Sequence, residues 1–106
     1  MADDTQKAAH APAVDAEPLV PVTFSTFLLS LSTQALVHLG EIADPASGQV
    51  TTDLVAAKQI IDILGVLETK TRGNLDQAEQ GLLESMLYDL RMRYVELMRR
   101  GAKEAT

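Results

Sequence analysis

Apolar residues recur along this chain in three blocks, each with the spacing of an α-helix. In the first, Phe24, Phe27, Leu28, Leu31, Ala35 and Leu39 fall on one face, because side chains three and four apart lie above one another on a helix. Leu29 and Leu36 widen that face to about 200° of arc at about 100° per residue. Thr23 or Ser25 can cap the start, and Gly40 is a natural stop. The second block, opened by Asp53 as N-cap, places Leu54, Ala57, Ile60, Ile61, Leu64 and Leu67 on one stripe. Gly65 within it either permits a close helix approach or is neutral. The third begins at Asp76 and Glu79, which have the spacing of a capping box. Its stripe is Leu83, Met86, Leu87, Leu90, Tyr94, Leu97 and Met98, about 120° wide.

Within the third block, Tyr88 to Tyr94 reads YDLRMRY and alternates apolar with charged. Alternation of that kind is a strand signal, but turn residues on both sides are missing and the helical stripe runs straight through. The alternation arises from two stripes on one helix. Tyr88, Met92 and Val95 form the second stripe, opposite Leu83, Leu90 and Tyr94.

These patterns predict an all-α fold, a small bundle of three helices over about 23–39, 54–71 and 77–100. Residues 1–22, rich in Ala and Pro, read as a disordered tail carrying a solvated His10, and 101–106 as a C-terminal tail. Between the first two helices, Asp44-Pro45 and Ser47-Gly48 supply turn chemistry. A three-helix bundle buries one stripe per helix. Here the third helix carries two and the first is apolar over more than half its girth, so the apolar demand exceeds what one copy hides. Assembly with a second copy is expected, since two-fold dimers are the commonest oligomers. The expected contact residues are Phe24, Phe27, Leu29, Leu36, Tyr88, Met92 and Val95.

Charge narrows the partners. The 106 residues hold 9 Lys and Arg against 15 Asp and Glu, a formal net charge of −6. Such a chain repels phosphate backbones, which makes nucleic acid a poor partner. Arg91, Arg93, Arg99 and Arg100 nevertheless crowd the C-terminal end and could meet an acidic partner; the plainer reading is cations at a helix C-terminus. Cysteine is absent, which excludes disulfides and cysteine-bound zinc. No charge occurs between Glu17 and Glu41, yet Pro18, Pro21, Gln34 and His38 make the run a poor membrane span. No basic, secretory-type start is evident, so a cytoplasmic location is expected.

Three ordered segments, FSTFLLSLSTQALVHLGEI, AKQIIDILGVLETKTRGNL and SMLYDLRMRYVE, together resemble a bacterial family known as domain of unknown function 1844. The resemblance covers about Phe24 to Glu96. It implies a small, mostly helical protein and carries no activity with it.

Candidate chemistry is thin. His38, Glu41 and Asp44 are weak candidates for a metal; His38 at a helix C-terminus is better read as a partner for free carbonyls. No nucleophile elbow, phosphate loop or dinucleotide fingerprint occurs. The expectation is therefore a protein with no catalytic residues and no cofactor, a homo-oligomeric adaptor or regulator. A peripheral membrane protein using helix one and the basic end is the alternative, and an RNA-associated factor the third.

Overall fold

The computed structural model describes residues 21–105, with side chains to Ala102. The tail expected over 1–22 lies outside the described residues except for its last two positions, and His10 lies outside entirely. Three helices follow in order: α1, Phe24–His38; α2, Leu54–Lys70; and α3, Gln77–Ala105. All three pack against one another. Asp53 at the start of α2 donates its N–H to the carbonyl of His38 at the end of α1, 2.7 Å away. That bond brings the ends of the linker together. Arg91 of α3 lies beside Gly65, and Tyr94 beside Lys58, so α3 runs antiparallel to α2. The bundle is up-down-up.

Each helix starts where a side chain takes up otherwise unpaired backbone N–H groups. Thr23 and Thr26 form a reciprocal capping box, at 3.0 and 2.9 Å. Asp53 accepts from the Ala56 N–H at 3.1 Å. Asp76 and Glu79 cap reciprocally, at 2.8 and 2.9 Å. The close of α1 is equally explicit. Gly40 donates to Val37 O at 3.0 Å and Glu41 to Leu36 O at 2.9 Å, the two bonds of a Schellman motif. Gly40 has φ +80° there.

One core joins the helices. Leu28, Leu31, Ala35 and Leu39 of the α1 end, Ala57, Ile61 and Leu64 of α2, and Leu83, Met86, Leu87 and Leu90 of α3 are buried. All of these come from the inward stripes read from the sequence, with Phe24, Leu54, Ile60, Leu67, Tyr94 and Leu97 half-buried against them; Phe27, assigned to the inward face of α1, is exposed. Two more expectations change. The third helix continues through Arg100 and Gly101 to Ala105, because a glycine inside a helix costs only about 1 kcal/mol and Gly101 is followed by good helix formers. Met98, assigned to the inward stripe, is 48% exposed. At 29 residues, α3 is about 43 Å long at about 1.5 Å per residue. It outruns α1 and α2, and residues 98–102 are all exposed.

Gly65 is not a site of close backbone contact. A Cβ added there would meet the guanidinium end of Arg91, Nη2 at 3.2 Å, and that exposed side chain can shift. Gly65→Ala is expected to stabilise the fold by about 0.5–1 kcal/mol through helix propensity. A lower urea midpoint instead would mean that Arg91 is held against α2.

Candidate functional site

Where α3 has finished packing, apolar side chains remain. Tyr88 is 69% exposed, Met92 53% and Val95 54%. All three lie on the side of α3 turned away from Leu83 and Leu90, as 100° steps along the helix require. The face is thus assembled by a period that repeats every three to four residues beside the inward one.

The expected contribution of α1 is smaller. Phe24 and Leu36 pack against the core, since both lie within the arc that α2 and α3 cover. Phe27 and Leu29 remain exposed, but they sit on opposite flanks of α1, about 160° apart at about 100° per residue, and do not make one patch. Phe27 stacks obliquely near Phe24, with ring centroids 6.5 Å apart.

A second apolar strip, not expected from the sequence, lies on α2. Val55, Ile63 and Val66 are exposed on its outward side. Val55 and Val66, eleven residues apart, fall within about 20° of each other on a helix, a signal that the dominant stripe through Ile61 and Leu64 obscured. Beside this strip runs a groove between α2 and α3 of about 130 Å³, lined by Lys58, Ile61, Asp62, Arg91, Tyr94 and Val95. Lys58 and Asp62 form an ion pair at 2.8 Å across one turn. That hydrogen bond, with the charge of Asp62, holds the Lys58 ammonium above its ordinary pKa.

The basic end is less free than its composition suggests. Arg93 pairs with Asp89 at 2.9 Å and with Glu41 of the linker at 3.2 Å; the Asp89 hydrogen bond is the main reason its pKa rises. Arg99 and Arg100 share Glu96, at 3.5 and 3.6 Å. Arg91 lies in the groove over Gly65.

The metal candidates separate. His38 and Asp44 line a pocket of about 210 Å³ with Thr33, Gln34, Val37 and Pro45. Glu41 turns to Arg93 instead. Asp44 is occupied in the linker turn, where its carboxylate accepts from the Ala46 N–H at 2.8 Å. Among the described residues no three His, Cys, Asp or Glu side chains gather as metal ligands. None of the described helices is long and apolar enough to cross a membrane.

No curated protein and no solved structure matches the chain. A family described as Domain of unknown function (DUF1844) matches residues 21–96, a span that takes in all three caps, the Schellman turn, the whole core and the Tyr88–Met92–Val95 face. The chain belongs to that family.

Proposed function

We propose that this protein is a non-enzymatic helical interaction module, a cytoplasmic adaptor or regulator that self-associates through α3. The observation that carries the reading is the exposed face of Tyr88, Met92 and Val95. Tyrosine and methionine are enriched where proteins meet, and a contiguous apolar strip on a small soluble bundle marks a contact site. The arginines that a lipid surface or RNA would need favour neither partner. Arg93 already pairs with Asp89 and Glu41 of its own chain, and Arg91 lies in the groove over Gly65.

Gel filtration with light scattering tests the reading. The expected mass is more than one subunit at micromolar concentration, and Met92→Glu is expected to lower it while leaving helicity intact. A wild-type chain that runs as a clean monomer ends the proposal. Liposome flotation separates it from the membrane alternative, for an assembly module stays at the bottom of the gradient.

A further inference from the structure

We infer that the partner on this face is a second copy of the chain, docked antiparallel, α3 against α3, about a two-fold axis between Arg91 and Met92. The inference rests on self-association through α3 and specifies its geometry. Charge order along α3 is the first observation. Its N-terminal half, Gln77 to Leu90, contains Glu79, Glu84 and Asp89 and no Lys or Arg. From Arg91 onward there are five basic residues against Glu96 and Glu104. A parallel pairing sets like charges side by side along the whole helix. An antiparallel pairing sets the acidic half of each copy against the basic half of the other.

The face itself selects the register. With the axis between Arg91 and Met92, Tyr88 of one copy meets Val95 of the other, and Glu84 meets Arg99. Those pairs all lie on the outward arc, because both members of each pair flank the same central direction at about 100° per residue. Glu84 is exposed and makes no ion pair among the described residues; its carboxylate accepts only from Gln80 Nε2, at 2.7 Å. Arg99 holds Glu96 loosely, at 3.5 Å. Gly81 falls opposite Ala102, two small residues that let the helix ends approach.

The overhang is the second observation. Residues 98–105 are helical beyond the reach of α1 and α2, with Met98 to Ala102 exposed. A lone helical end without tertiary cover is marginal in water. The midpoint of Gln77–Ala105 is Arg91, so a two-fold there overlaps the two helices along their full length. Each overhang then lies on the first turns of the partner's α3, along a seam of about 32 Å from Gly81 to Ala102 at about 1.5 Å per residue.

A charge-swap experiment on the full chain reads the geometry directly. Glu84→Arg and Arg99→Glu each place two like-charge contacts in the antiparallel dimer, and each is expected to raise the dissociation constant about tenfold. Mixing the two single variants is expected to restore wild-type affinity, since both contacts in the mixed dimer are then opposite in sign. The double variant should likewise recover as a homodimer. Circular dichroism of each variant checks that the helices persist. Single variants that weaken assembly with no rescue on mixing overturn the antiparallel register. A wild-type dimer that Met92→Glu weakens but neither charge variant touches also overturns it, while leaving self-association through α3 standing. A monomeric wild type removes both.

Discussion

Leu90→Ala is expected to cost about 2–5 kcal/mol of folding stability, the range for truncating a buried leucine in a close-packed core. Leu90 is 1% exposed and lies in the cluster with Leu83 and Leu87. The core is small, and a small domain has only about 5–15 kcal/mol in hand, so this one change removes a large share. Urea denaturation at fixed protein concentration gives the measurement, because assembly adds a concentration-dependent term to apparent stability. The midpoint should fall with the slope unchanged. Met92→Glu is the matched control, one turn-half away on the same helix but outside the core. Its cost should appear in assembly and not in the stability of one copy. Equal stability losses for the two variants would mean that the two faces of α3 are not distinct.

Gly40→Ala comes second, with an expected loss of about 2–3 kcal/mol, from left-handed backbone strain and a steric clash together. Gly40 sits at φ +80° and closes the Schellman turn of α1. A Cβ built there comes 2.5 Å from Thr52 Oγ1 and 3.5 Å from Thr51 O. The turn cannot easily yield, because Asp53 is tied to His38 O next to it. Gly48 shares the positive φ, at +73°, but a Cβ there meets nothing within 4 Å. Gly48→Ala should therefore cost only the backbone strain, about 1–2 kcal/mol. Pairing Gly40→Ala with Thr52→Ala in a double-mutant cycle isolates the clash. If Thr52→Ala recovers none of the loss, the contact is not what makes Gly40 necessary.

Much of the fold was legible, and for local reasons. Caps are hydrogen bonds between residues three apart, so Asp53 and Asp76 announced two helix starts, and Thr23, one of two candidates with Ser25, caps the third. The inward stripes followed from a 3.6-residue period that needs no knowledge of neighbours. The Tyr88–Met92–Val95 face was legible in the same way, as a second stripe that one bundle did not require. The rest was not local. Met98 falls at the edge of the α3 stripe and faces water, because nothing in its own segment records where α1 and α2 end. Leu36, expected at a contact surface, is half-buried against the core, since the arc a helix buries depends on how many neighbours it has. The Glu41–Arg93 pair joins the linker to α3, and no spacing rule connects residues so far apart in sequence.

The sequence by itself determined three capped helices, their inward faces and a surplus of apolar surface, because hydrogen bonds and side-chain periodicity act over one or two turns. Only the tertiary structure decided which part of that surplus stays uncovered. It half-buried Phe24 and Leu36 against the core, set Phe27 and Leu29 on opposite flanks, and left exposed the outer face of α3 and the strip on α2. Exposure is a property of what stands beside a helix and how far that neighbour reaches, and both are set by packing across the chain.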